Sequence, residues 1–135
     1  MANPQMVILE GNGTFEIEVV GESHYRAQLR AIAGPNDRDD VEVVKTAYLV
    51  PEPRNQNDPN AMRVDVDGKP VGHLPRNVAA QLAPILKRAK LAGVQVQAQI
   101  SAFKGADNYS VWLDGDLGEI VRAFPVDRPW WKFGK

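Results

Sequence analysis

Alternation of apolar and polar positions is the clearest pattern along the chain, and it predicts strands. The strictest example covers residues 94–103, and a turn at 104–108 joins it to a second predicted strand at 109–113. Residues 14–20 alternate in the same way, with β-branched and aromatic residues on the apolar side. Residues 41–50 predict a long central strand, and since neither of its faces is purely apolar, we expect both to be covered for part of its length.

A polar segment followed by a hairpin occupies residues 53–76. Residues 55–60 are turn formers whose side chains bond nearby backbone groups. Residues 62–66 then alternate, Asp67-Gly68 is a dipeptide that tight hairpin turns prefer, and residues 70–74 return as a second strand. The polar loop is therefore predicted to stand on a rigid hairpin.

Two segments have helical spacing. Residues 23–32 place apolar side chains three and four positions apart, with Ser23 as the predicted N-cap. Residues 77–91 carry an apolar stripe, with Pro84 predicting a kink or a break and Gly93 predicted as the C-terminal cap. Short antiparallel strands with one or two helices predict a mainly β, α+β fold, a small modified barrel of the oligonucleotide-binding (OB) type.

The chain divides into three predicted parts. Residues 1–13 form an N-terminal arm, within which residues 6–9 offer an alternative as an edge strand. Residues 14–114 form the barrel, and residues 115–135 form an extension that ends in aromatic and basic residues. The Trp130-Trp131 pair in this extension either stacks on a single strand or covers the barrel, and the sequence leaves both interpretations open.

Composition narrows the class of protein. With 135 residues, 44% of them hydrophobic and 24% charged, the chain fits one globular domain. It has no cysteine, which excludes disulfides and thiolate metal sites, and no apolar run approaches the roughly 20 residues of a membrane helix. The start lacks the features of a signal peptide, so we expect a cytoplasmic protein without a membrane role.

Charge is segregated along the chain although the net charge is only −1. Residues 68–104 contain six Lys and Arg and no Asp or Glu. The other residues hold ten basic and seventeen acidic side chains, so a segment of net +6 adjoins a remainder of net −7. Local charge decides what a surface attracts, and the basic segment suits a polyanion.

No arrangement typical of an enzyme stands out. The two histidines, His24 and His73, do not form a zinc motif, and there is no phosphate-binding loop or nucleophile with a base. We therefore expect no catalytic residue, no metal and no cofactor. A weaker alternative makes Asp58 and His73 an acid and a base, but a third positioned group is lacking.

Three motifs follow one another along the chain, and their order is informative. They are Val20-Gly21-Glu22 with Tyr25 and Leu29; Glu52-Pro53-x-Asn55-x-x-Asp58-x-Asn60-Ala61-x-x-Val64; and Gly68-x-x-Val71-Gly72-His73-Leu74-Pro75-Arg76. In this combination the chain resembles the HIRAN family across about residues 14–114, and in particular its stand-alone bacterial members. The resemblance implies a modified OB barrel that captures the 3′ end of single-stranded DNA, in repair or replication, beside a helicase or nuclease partner.

The resemblance also implies a set of nucleic-acid-binding residues. The loop Asn, the hydroxyl-binding Asp, the strand-end His, the basic residue at the helix entry and the late-strand Phe of the family fall on Asn55, Asp58, His73, Arg76 and Phe103. His24-Tyr25 stands for a tyrosine doublet, and Asn57 replaces a tyrosine of the loop. Both departures remove stacking surface.

Each of these residues also has an ordinary structural interpretation. Asp58 either accepts a hydrogen bond from a terminal hydroxyl or bonds backbone groups of the turn in which it lies. Arg76 is expected to contact a phosphate rather than to remain a solvated surface side chain. His73 either contacts the DNA strand or is a partly buried packing residue. We expect Phe103 to lie at least partly in the core. The alternative function is a protein-interaction module with a vestigial DNA pocket.

Overall fold

The computed structural model describes residues 5–123, so the predictions made for residues 1–4 and for the tail with Trp130-Trp131 lie outside the described residues. Seven strands are found there: β1 (Gln5–Ile8), β2 (Ile17–Glu18), β3 (Val41–Pro51), β4 (Met62–Val66), β5 (Lys69–His73), β6 (Leu91–Ala102) and β7 (Ser110–Asp114). The helices of this range are α1 (Arg26–Ala33), α2 (Arg76–Ala89) and α3 (Gly118–Ala123), with a 3₁₀ turn (Glu22–Tyr25) before α1. None of these helices has the length and apolar character needed to cross a membrane.

All seven strands belong to one curled sheet with the order β2-β7-β6-β3-β4-β5, and β1 pairs in parallel with the first part of β6. Just after β2, Val19 donates its N–H to the carbonyl of Val111 in β7. Val20 and His73 of β5 then exchange two backbone hydrogen bonds of 2.9 Å each. This contact joins the two ends of the sheet, and the predicted OB-like, mainly β fold is confirmed.

The core fills the inside of the barrel. Alternate residues of β3, β4 and β6 point inward, as their patterning predicts, and the inner positions of β6 from Val94 to Ile100 are buried. Leu29 of α1 and Leu82 and Leu86 of α2 are also buried in this core. The helices thus cover the parts of the interior that the strands leave open.

The β4–β5 hairpin has the predicted turn and an additional bulge. Asp67 and Gly68 have φ angles of 52° and 74°, the left-handed values that a two-residue hairpin turn requires. Asp65 pairs with Pro70, but Val64 pairs with Gly72, so Val71 is an extra residue in β5. The bulge therefore places His73 opposite Arg63.

Two strand predictions need correction. The strand expected at 14–20 is reduced to Ile17–Glu18, one backbone bond from Val19 and the two-bond bridge between Val20 and His73, because Phe15 has a φ of 46° and interrupts an extended path. In the N-terminal arm, the alternative edge strand is the one that forms, as β1. Val44 and Tyr48 of β3 are exposed, so the expectation that both faces of this strand are covered was wrong for that side.

The helix ends also differ from their predictions. Ser23 makes no capping bond, since the 3₁₀ turn begins after Gly21 and α1 begins at Arg26 without a side-chain cap. Pro84 does not break α2. Because proline has no N–H, the carbonyl of Ala80 has no donor within the helix, but Ala80 is exposed to water. Lys90, with a φ of 57°, ends α2 in place of Gly93. Gly93 lies in β6 instead, and a Cβ at this position would lie 2.3 Å from the carbonyl oxygen of Leu49.

The expectation that Phe103 is partly core was wrong, because its side chain is 80% exposed. It follows Ala102, the last inward-facing residue of β6, so the alternation of the strand directs it outward. The carbonyl of Phe103 instead accepts a 2.8 Å hydrogen bond from the buried amide of Asn36. The backbone at this point is fixed while the aromatic ring faces solvent.

Closure of the barrel predicts a sensitive position at Gly72. An alanine Cβ there would lie 2.5 Å from Val19 Cγ1 and 2.7 Å from the carbonyl oxygen of Val20, at a backbone φ of 152°. We expect Gly72→Ala to lower the free energy of unfolding by about 2–3 kcal/mol in urea titrations. Gly105→Ala is the matched control, since its φ is 74° but no atom lies within 4 Å, and it should cost about 1 kcal/mol. Equal losses in the two variants would contradict the close approach.

Candidate nucleic-acid site

The polar loop, residues 52–60, connects β3 to β4 and holds its shape through its own side chains. Glu52 donates its N–H to the carbonyl of Ala61 at 2.9 Å, which closes the loop. Asn55 Oδ1 accepts the N–H groups of Asn57 at 2.9 Å and Asp58 at 3.1 Å. Asp58 Oδ1 accepts the N–H of Asn60 at 2.9 Å. The turn interpretation of Asp58 therefore holds for one of its carboxylate oxygens.

Glu52 connects the polar loop to the hairpin. His73 Nε2 lies 2.7 Å from Glu52 Oε1, within hydrogen-bond distance. The same oxygen accepts a longer bond of 3.4 Å from the Asn55 amide, and Glu52 Oε2 lies 3.7 Å from the Arg63 guanidinium. One carboxylate thus contacts a strand-end histidine, a loop amide and an arginine of β4.

Arg63 is held by carboxylates on two sides. Its guanidinium donates to both oxygens of Asp65, at 2.7 Å and 2.9 Å. The hydrogen bond to Asp65 is the largest cause of the raised pKa of Arg63. Partial burial, the next largest, lowers this pKa, and the charges of Asp65 and Glu52 raise it further. Sequence reasoning missed Glu52 and Arg63 as partners of His73.

Arg76 is the first residue of α2 and lies beside the polar loop. Its Nε is 3.5 Å from Asp58 Oδ2, and its side chain is 76% exposed whereas that of Asp58 is only 18% exposed. The carboxylate therefore lies behind the guanidinium, which faces solvent. Arg54 is also exposed, within the polar loop itself.

The structure brings most of the predicted residues together. Asn55, Asp58, His73 and Arg76 meet where the polar loop lies against β5 and α2. Tyr25 is half-buried at the end of the 3₁₀ turn, which packs against β5. His24 is exposed beside Tyr25, and Asn57 is exposed in the loop.

Phe103 lies apart from this group. It follows Ala102, which pairs with Val41 at the first residue of β3, while the polar loop leaves from Pro51 at the other end. An eleven-residue strand spans about 36 Å along its path. Phe103 therefore lies at the opposite end of β3 from the polar loop.

Between residues 5 and 123, no three or more His, Asp or Glu side chains are grouped in a way that could hold a metal ion. The carboxylates of the site have other partners: Glu52 contacts His73 and Arg63, and Asp65 binds Arg63.

Comparison with known families decides which class of protein this arrangement represents. The family model described as "HIRAN domain" matches residues 12–110, which include the polar loop, His73, Arg76 and Phe103. The chain belongs to the HIRAN domain family. The expected family is thereby confirmed.

Two solved HIRAN structures are similar to the chain. One is the NMR structure of the HLTF HIRAN domain in its DNA-bound conformation, with 21% identity, a TM-score of 0.43 and coverage of 79% of this chain and 78% of that one. The other is the crystal structure of the HIRAN domain of human HLTF, with 18% identity, a TM-score of 0.40 and coverage of 84% and 89%. A comparison with curated proteins gives no match.

Asn55 is predicted to be the residue that orders the polar loop of this HIRAN domain. Asn55→Ala removes the acceptor for two N–H groups, so we expect unfolding to become easier by about 1 kcal/mol and the amides of Asn57 and Asp58 to exchange faster with solvent. Hydrogen exchange followed by NMR measures both amides. Asn57→Ala removes an exposed amide side chain in the same loop and should leave exchange at Asp58 unchanged. The same acceleration in both variants would argue against the role of Asn55.

Proposed function

We propose that this HIRAN domain is a non-catalytic module that binds single-stranded DNA with the polar loop, Arg76 and His73, and that it takes the strand at its 3′-hydroxyl end. The observation that carries the proposal is the convergence of a pre-ordered polar loop, a strand-end histidine and an exposed arginine at one end of the β4–β5 hairpin. Membership of the HIRAN family supports DNA as the partner, since the HLTF member has been solved in a DNA-bound conformation.

Arg76 is the proposed phosphate contact. Its guanidinium is exposed and lies at the N-terminus of α2, where unpaired backbone N–H groups also favour an anion. Arg63 is unsuited to this role because Glu52 and Asp65 already neutralise it. Arg54, exposed in the polar loop, is placed to contact a second phosphate.

Asp58 is the proposed acceptor for the terminal hydroxyl. Its Oδ1 is occupied by Asn60, and its Oδ2 faces Arg76 without a shorter bond among the described residues. A 3′ hydroxyl can donate to this oxygen, whereas a 3′ phosphate would bring negative charge toward a carboxylate. The arrangement therefore favours a free hydroxyl over a phosphorylated end.

Within residues 5–123, the segment after Val20 supplies the aromatic rings proposed for stacking near the site. Tyr25 is half-buried and His24 is exposed, so these two rings are the proposed platform for a base. Asn57 offers an amide where the family resemblance implies an aromatic ring. We assign no base contact to Phe103, and we assign any reaction on the bound strand, in repair or replication, to a helicase or nuclease partner.

Preference for a free 3′ end is testable by fluorescence anisotropy. Labelled single strands that end in a 3′ hydroxyl should bind at least about tenfold more tightly than the same strands with a 3′ phosphate. The reason is that a 3′ phosphate would place negative charge beside the Asp58 carboxylate. Asp58→Asn should reduce this preference, since an amide does not repel phosphate. Equal affinity for both ends in the unmodified protein would contradict end capture, and no affinity for any strand would contradict DNA binding.

The role of Arg76 is testable through the salt dependence of binding. Arg76→Ala should lower the slope of log affinity against log salt by about 0.7 on single strands, because one phosphate contact is lost. Arg88→Ala is the matched control, as Arg88 is exposed in the last turn of the same helix, away from the polar loop. A slope that falls only in the Arg88 variant would place the phosphate path elsewhere.

A further inference from the structure

The side of the sheet that faces away from the core carries an unusual set of side chains. The outer face, as we define it, consists of Val44 and Tyr48 of β3, Gln95, Gln97 and Gln99 of β6, and Trp112 of β7. Their register places them side by side: Val44 pairs with Gln99, Tyr48 pairs with Gln95, and Gln99 also pairs with Trp112. Paired residues of antiparallel strands point to the same side, so these six form one continuous surface.

Exposed hydrophobic residues concentrate on this surface. Of the five large hydrophobic side chains that are exposed within residues 5–123, Val44 and Tyr48 belong to the outer face. Ile8 of β1 pairs with Gln95 and adjoins the face, and Phe103 stands at its other end in a shallow groove with Gln99. Four of the five therefore lie on or beside one surface, which is a mark of an interaction site.

Charge distinguishes the outer face from the DNA site. Its six members are neutral. The carboxylates beside them include Glu18, which pairs with Trp112, Glu42, which binds Gln99, and Asp114, which pairs with Gln97 but is buried and accepts the N–H groups of Asn12 and Gly13. Arg63 at a further margin is already bound to Asp65. Carboxylates at the edge and no unpaired cation in the centre disfavour a polyphosphate backbone.

We propose that the outer face pairs with the outer face of a second copy of this chain. Each glutamine amide carries both donors and an acceptor, so a row of three amides is complementary to an identical row turned by a two-fold axis. Tyr and Trp with few charges at the centre are typical of protein interfaces, and charged residues are typical of their rims. In this arrangement Glu18 and Glu42 remain in contact with water.

The size of the face sets the strength of this pairing. Strands β3 and β6, of eleven and twelve residues, and the five-residue β7 together cover on the order of 400 Å² at ordinary strand spacing and rise. A stable complex usually buries about 800 Å² from each partner, so the pair is a weak and concentration-dependent one. The polar loop and Arg76 stay accessible, because the loop leaves β3 after Pro51, while His73 borders the face across Arg63, which pairs with Val50.

Sedimentation velocity of the full chain over about a hundredfold range of concentration tests the proposal. The unmodified protein should shift from monomer to dimer, and Gln97→Arg should weaken the dimer at least about tenfold because two like charges then meet near the axis. Gln81→Arg makes the same change at an exposed position of α2 and should leave the dimer intact. Val44→Arg, at a position that is 53% exposed, serves as a second disrupting variant outside the buried core.

Several results would overturn the pairing. A protein that stays monomeric at every concentration would do so, as would a dimer that is insensitive to both Gln97→Arg and Val44→Arg. A dimer weakened equally by Gln81→Arg would place the interface elsewhere. A monomer whose affinity for single-stranded DNA falls with Tyr48→Ala would assign the outer face to DNA instead.

Discussion

Two backbone hydrogen bonds between Val20 and His73 determine where the site residues of this protein lie. They join the chain after β2 to β5 and so convert a curled sheet into a closed barrel. The approach is close enough that only glycine fits at position 72, where a Cβ would meet both Val19 and the carbonyl of Val20. The 3₁₀ turn that carries Tyr25 follows directly, and it packs against β5 beside this contact.

His73 connects this closure to the polar loop. Its backbone bonds Val20, while its ring contacts Glu52, the first residue of the loop. Asn55 and Asp58 then fix the loop through bonds to their own backbone neighbours. The loop is thus ordered before any ligand arrives, which lowers the entropic cost of binding a strand end.

Two chemically different surfaces result from this arrangement. At the polar loop, Glu52 and Asp65 are paired with His73 and Arg63, and Arg76 is left facing solvent as a contact for an anion. On the outer face, glutamine amides and aromatic rings replace charges. Arg76 follows β5 at the open end of the hairpin, whereas the outer face spans the middle strands β3, β6 and β7. The contacts proposed for a DNA strand and for a second copy of the chain therefore lie on neighbouring but different parts of the molecule.

The sequence by itself determined the long strands, the Asp67-Gly68 turn and which residues form the polar loop, because alternation and turn chemistry are local properties. Only the tertiary structure decided that Val71 bulges and places His73 opposite Arg63, since a regular two-residue hairpin would have paired Arg63 with Gly72. It also decided that Phe103 faces solvent at the far end of β3, although the family resemblance groups it with the loop. Strand register and barrel closure depend on contacts between residues distant along the chain, and no local pattern encodes those contacts.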